Sequence, residues 1–177
     1  MPPSYVKPIH DSYGGELVIC TVVGFPLGYC VKKAKLLETE IALDEGASEI
    51  DMVINLGDLK NGRFKKVEEE ISAQKKLVAG KILKVIVETC YLTREEKIEL
   101  CKIVTGTGAD YIKTSTGFGT AGATLEDVLL FKEYIGSGVK IKAAGGIKTS
   151  EDFEKYLNAG CDRIGTSSAV ALLAAAD

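Results

Sequence analysis

From residue 16 onward the apolar positions repeat one plan: a short β-branched run, a polar or glycine-rich turn, then a longer amphipathic stretch ending near a glycine. The short runs predict strands at 17–23 (LVICTVV), 49–55 (EIDMVIN), 83–88 (LKVIVE), 111–114 (YIKT), 139–143 (VKIKA) and 163–165 (RIG). The amphipathic stretches predict helices at 31–45, 63–79, 94–107, 125–135 and 151–159, with an Ala-rich piece from Ser168 closing the chain. Thr93, Thr124 and Ser150 precede Glu-containing first turns and suit N-caps. The opening, which contains three prolines and His10, shows no period.

Alternation of strand and helix without a change of pattern fits a (β/α)8 barrel or an open doubly wound sheet. The charges inside the strands separate the two. Asp51 lies within EIDMVIN, Lys113 within YIKT, and Lys140 and Lys142 within VKIKA. In a sheet covered by helices on both faces such charges would be very costly. In a barrel, alternate residues point to the interior and converge near the carboxyl ends of the strands. The period of two places Glu49 and Asp51 on one face and Ile50, Met52 and Ile54 on the other. The fold class expected is therefore α/β, of the (β/α)8 TIM-barrel type.

Composition narrows the function classes. The chain has 177 residues, 46% apolar and 27% charged, the balance of an ordinary folded domain. Its net charge of −3 provides no global positive field for nucleic acid or an anionic membrane, so an anionic ligand must be held by local groups. The opening has no apolar run of the secretory type, and a cytoplasmic protein is expected. Five cysteines without a Cys-x-x-Cys pair read as reduced, mostly buried thiols, and one histidine makes a structural metal site improbable.

Two constellations could carry chemistry. A lysine near the end of a barrel strand, walled by apolar neighbours and close to a second ammonium, has its pKa lowered, and a neutral amine attacks a carbonyl. Lys113 fits the first role, Lys142 the second, and Asp51 could move protons or balance the charge. The same three residues also fit an internal ion-pair network without chemistry. Lys140, nearer the amino end of its strand, reads as solvated or paired. The second constellation is three glycine- and hydroxyl-rich turns, TSTGFG (114–119), AGGIK (144–148) and GTSS (165–168), each directly after one of the last three strands. Turns in that place hold phosphate with backbone N–H groups, so a phosphorylated small molecule is the expected ligand. GFGTAG (117–122) matches a dinucleotide fingerprint, but no acidic residue stands where a ribose would need it. His10 has no nucleophile partner that the pattern identifies.

CTVVGFPLG (20–28), EIDMVINLG (49–57), DYIKTSTGFG (110–119), IKAAGGI (141–147) and RIGTSS (163–168) together resemble the signature segments of the 2-deoxyribose-5-phosphate aldolase family. The resemblance implies a class I aldolase that cleaves 2-deoxyribose 5-phosphate to acetaldehyde and glyceraldehyde 3-phosphate, with no cofactor and no metal. It implies Lys113 as the Schiff-base lysine, Lys142 as the neighbour that tunes it and Asp51 as the proton-relay carboxylate. Phosphate contacts would come from Gly117, Gly145, Gly146, Gly165, Ser167 and Ser168. Family members carry an extra helix and two further βα units at their start. A single domain over 1–177, N-terminally incomplete and reduced to about six βα units, is therefore expected. Open barrel edges of that kind predict a homo-oligomer or self-association. Two rival readings fit the same residues. One is an inactive fragment that binds a sugar phosphate without turning it over; the other is a different phosphate-binding barrel, such as an isomerase, in which Lys113 is structural.

Overall fold

The computed structural model describes residues 1–174. In chain order it comprises α1 (Val6–Tyr13), β1 (Cys20–Val23), α2 (Lys32–Asp44), β2 (Glu49–Val53), α3 (Leu56–Lys60), α4 (Phe64–Leu77), β3 (Ile82–Ile86), α5 (Arg94–Thr107), β4 (Tyr111–Lys113), α6 (Leu125–Tyr134), β5 (Lys140–Ala144), α7 (Ser150–Asn158), β6 (Arg163–Gly165) and α8 (Ala169–Ala174). The six strands are all parallel and lie side by side in sequence order, with β1 and β6 as the two edges. No helix of the described residues is long and apolar enough to cross a membrane.

Strand alternation sorts the side chains as the pattern predicts. Ile50, Met52, Leu83, Val85, Ile112 and Ile141 face outward and pack under Val67 and Ile71 of α4, Leu100 and Val104 of α5, and Val128 and Phe131 of α6. Each such side chain, fully removed from water, contributes about 1.5–3 kcal/mol before entropy is counted. Glu49, Asp51, Lys84, Lys113 and Lys142 occupy the other face. The sheet is strongly curved. Three strand spacings of about 4.8 Å would hold β2 and β5 about 14 Å apart in a flat sheet, yet Lys142 of β5 reaches Asp51 of β2 at 2.8 Å. Arg163 of β6 reaches Glu49 of β2, four strands away, at 2.5 Å. The charged face is thus the concave wall of a barrel that is open between β1 and β6.

Several boundaries differ from the sequence pattern for identifiable reasons. The first strand starts at Cys20, not at residue 17, because its partner β2 begins at Glu49, which pairs with Cys20; Leu17 and Val18 are left exposed. Ser150 is the first helical residue of α7 and Thr149 is its cap, in a reciprocal capping box with Asp152. Thr93 and Thr124 do cap α5 and α6. The opening contains a helix where no period was seen. Pro8 falls in the first turn of α1, where no intrahelical N–H bond is lost, and the helix is held by Val6 in the core with Ile9 against it.

Candidate active site

Register brings the charges together. Asp51 and Lys84 are partners across β2 and β3, and Lys113 and Lys142 are partners across β4 and β5. Curvature then turns the second pair toward the first. Asp51 Oδ2 accepts from Lys113 Nζ at 2.7 Å and from Lys142 Nζ at 2.8 Å, while Oδ1 accepts from Lys84 Nζ at 2.8 Å and from the Cys20 thiol at 3.1 Å. Lys84 also pairs with Glu49 at 2.6 Å, and Glu49 holds Arg163. Two carboxylates therefore face four cations on the concave wall.

The titration of these groups follows from that imbalance. Burial alone would raise the Asp51 pKa, but Lys113, Lys142 and Lys84 outweigh it and hold the carboxyl far below its ordinary range. Lys113 is shifted down: burial disfavours its ammonium, and the Lys142 charge adds to this against the pull of Asp51. Lys84 is shifted up, because Asp51 and the groups around it outweigh the cost of its burial. Two buried lysines of one cluster are thus driven in opposite directions. Burial, followed by the Asp51 charge, pushes the Cys20 thiol up, so it stays protonated and acts as a donor.

Above this floor opens a cavity of about 480 Å³. Its walls are Lys113 and the three turns that follow β4, β5 and β6: Thr116 to Phe118, Ala144 to Lys148, and Gly165 to Ser167. The turns interlock. Thr114 Oγ1 bridges to Ala144 through its carbonyl and its N–H, both at 3.1 Å, and Ala123 N–H donates to Ala144 and Gly145 carbonyls at 3.1 Å. A side chain at Gly122 would meet the Gly145 carbonyl oxygen at 2.2 Å, so the glycine in GFGTAG serves close approach of two turns. Gly165 likewise leaves room for the Lys142 stem, whose Cε would lie 3.2 Å from a Cβ there.

A family model described as DeoC/LacD family aldolase matches residues 1–175. The chain belongs to the DeoC/LacD aldolase family. A deoxyribose-phosphate aldolase of Clostridium botulinum is 63% identical over 173 residues, covering 98% of this chain and 78% of the relative. Among solved structures, an aldolase designated QR15 superposes with a TM-score of 0.93 at 40% identity, over 98% of this chain and 78% of the other. The deoxyribose phosphate aldolase of Aeropyrum pernix, described as having a unique tetrameric structure, superposes with a TM-score of 0.90 at 34% identity, over 98% and 74% of the two chains.

In this DeoC/LacD aldolase the residues singled out from sequence fall as follows. Lys113, Lys142 and Asp51 meet at one carboxylate oxygen. Gly117, Gly145, Gly146, Gly165 and Ser167 line the cavity; Ser168 does not, and its N–H donates to Thr166 Oγ1 at 3.0 Å. Lys140 is exposed at the amino end of β5, its ammonium 5.9 Å from the Tyr111 ring centre. His10 lies on exposed α1 against Gly46. Sequence reasoning gave no role to Lys84 or Arg163, placed Glu49 only on the face of Asp51, and included Lys148 only as the last residue of the AGGIK turn. Lys84 and Arg163 carried a signal, since each is a charge inside a predicted strand; Lys148 stands on the cavity wall.

Proposed function

We propose that this chain is a class I aldolase that cleaves 2-deoxyribose 5-phosphate to acetaldehyde and glyceraldehyde 3-phosphate in deoxyribonucleoside breakdown. The observation that carries the reading is the sharing of Asp51 Oδ2 by Lys113 and Lys142 at the floor of the glycine-lined cavity. Lys113, with its lowered pKa, supplies the free amine that adds to the C1 aldehyde; loss of water gives the imine. The imine nitrogen draws the electrons of the C2–C3 bond as the 3-hydroxyl loses its proton, releasing glyceraldehyde 3-phosphate and leaving an enamine. Protonation at C2 and hydrolysis then release acetaldehyde and restore the amine.

Asp51, kept ionised by the lysines around it, holds the Lys113 and Lys142 side chains at one oxygen, and the Lys142 charge helps keep the Lys113 pKa low. The turns bearing Gly117, Gly145, Gly146, Gly165 and Ser167 hold the phosphate, with Lys148 supplying a cation at the wall; Ser168, off the cavity wall, is left out of this set. An isomerase reading would leave the lowered Lys113 pKa without use. The chain acts as one catalytic domain in the cytoplasm, consistent with five free cysteines. We further propose that it assembles as a homo-oligomer; the tetrameric relative and the two unpaired sheet edges support this.

Incubation with acetaldehyde, borohydride reduction and peptide mass mapping test the mechanism. The adduct is expected on Lys113 and absent in Lys113→Arg, whose guanidinium cannot serve as the amine. Adducts confined to surface lysines would remove Lys113 from the reaction.

A further inference from the structure

Glu88, in the turn after β3, combines three unusual properties. It is the only non-glycine residue with positive φ among the described residues, at φ 55° and ψ 66°. It is 3% exposed although its side chain is a carboxylic acid. Both carboxylate oxygens are spent on a single residue of another turn: Oε1 accepts from Thr116 N–H at 3.1 Å, and Oε2 accepts from the Thr116 hydroxyl. The left-handed conformation is unfavourable for a residue with a side chain and persists only where surroundings impose it. Here the imposing contacts are Val87 N–H to the Lys113 carbonyl and Thr89 N–H to the Thr114 carbonyl, both at 3.0 Å. They force the chain between them to project the Glu88 side chain across to the turn after β4.

The consequence lies in which N–H groups remain free. Thr116 N–H goes to Glu88, and Phe118 N–H goes to Thr116 Oγ1 at 3.0 Å. Gly117 N–H, between them on the cavity wall, has no partner among the described residues. Gly117 sits at φ 89°, a conformation that suits glycine. We propose that Glu88 is a positioning residue: through Thr116 it fixes the 116–118 turn so that the Gly117 N–H is presented to the substrate's phosphate. This rests on the function proposed above and assigns Glu88 no contact with the reacting atoms.

Kinetics of Glu88→Ala and Thr116→Val with 2-deoxyribose 5-phosphate and with unphosphorylated 2-deoxyribose test the proposal. Each variant is expected to raise KM for the phosphorylated sugar by about tenfold, the scale of one lost buried hydrogen bond, with kcat nearly unchanged. Glu88→Ala leaves kcat/KM for the unphosphorylated sugar nearly unchanged, Thr116→Ser keeps the wild-type KM, and the double variant is no worse than the worse single one. Equal losses of Glu88→Ala on both sugars, or additive effects of the two substitutions, overturn the proposal. Borohydride trapping of acetaldehyde on Lys113 is measured in parallel in all variants. Its failure in the wild-type chain would refute the Schiff-base reading, whereas its retention with an unchanged KM in the variants would refute the role of Glu88 alone.

Discussion

Two regions of the molecule bury a lysine beside a carboxylate, and only the one on the concave face opens onto a cavity. Behind the sheet, between α2, α4 and β2, Lys35 is fully buried and donates to Glu70 at 2.9 Å and to the Val53 carbonyl at 2.8 Å. Thr39 and Gln74 add a neutral hydrogen bond beside it at 2.7 Å. One cation meets one carboxylate, and the Lys35 stem is pressed against Gly24, where a Cβ would lie 2.8 Å from its Cε. On the concave face, Asp51 is shared by Lys84, Lys113 and Lys142. The difference is stoichiometry and access. A matched pair sealed from water serves structure; an excess of ammonium groups, one of them lining a cavity, is what the proposed function needs, since it favours loss of a proton from one amine and approach of an anion.

The contrast is tested most sharply by making the same substitution on both sides. Lys113→Met should abolish turnover, by more than about 10⁴-fold, while leaving stability nearly unchanged, because Asp51 keeps two other cations. Lys35→Met should do the reverse: it leaves Glu70 buried and uncompensated at a cost of about 3–5 kcal/mol, with kcat/KM of the folded fraction retained. Denaturant unfolding and an aldol assay on both variants measure this. A loss of activity in Lys35→Met beyond its unfolded fraction would erase the distinction.

Next in size is Asp51→Asn, which leaves three ammoniums without their shared counter-ion. Turnover should fall by about 10²- to 10⁴-fold, and stability should drop near neutral pH. The sign of the pH dependence follows from the lowered carboxyl pKa. Its stabilisation is fully present above the unfolded value of about 3.9 and fades as pH falls toward the folded value. Wild type should therefore lose part of its advantage over Asp51→Asn in acid, as read by unfolding midpoints across pH. The smallest effect is expected for Lys142→Leu. Removing that charge raises the Lys113 pKa, so the ascending limb of the pH–rate profile should move to higher pH. The cost near neutrality should stay within roughly tenfold, and Lys142→Arg should keep the limb in place.

Legibility from sequence followed the range of the interactions. The predicted helix at 94–107 matches α5, and the predicted strand at 163–165 matches β6, because capping, periodicity and β-branching act over a few residues. The first strand was over-extended because an isolated apolar run cannot reveal where its partner begins. Lys113, Lys142 and Asp51 were visible as charges out of place in apolar strands. Lys84 is just as visible in LKVIVE yet was given no role, since nothing local tells a lysine that lines a cavity from one that only balances buried carboxylates.

Sequence alone determined the parallel α/β plan, the face of each strand and the residue types available for imine chemistry. These depend on the two-residue and 3.6-residue periods, which are properties of the local backbone. Tertiary structure alone decided that strands far apart in a flat sheet should share one carboxylate oxygen. It also decided that Lys113 should be driven down in pKa while Lys84 is driven up, and that Glu88 should reach Thr116 from another turn. Curvature, desolvation and charge–charge distance exist only once the chain is assembled, and each of these outcomes is set by them.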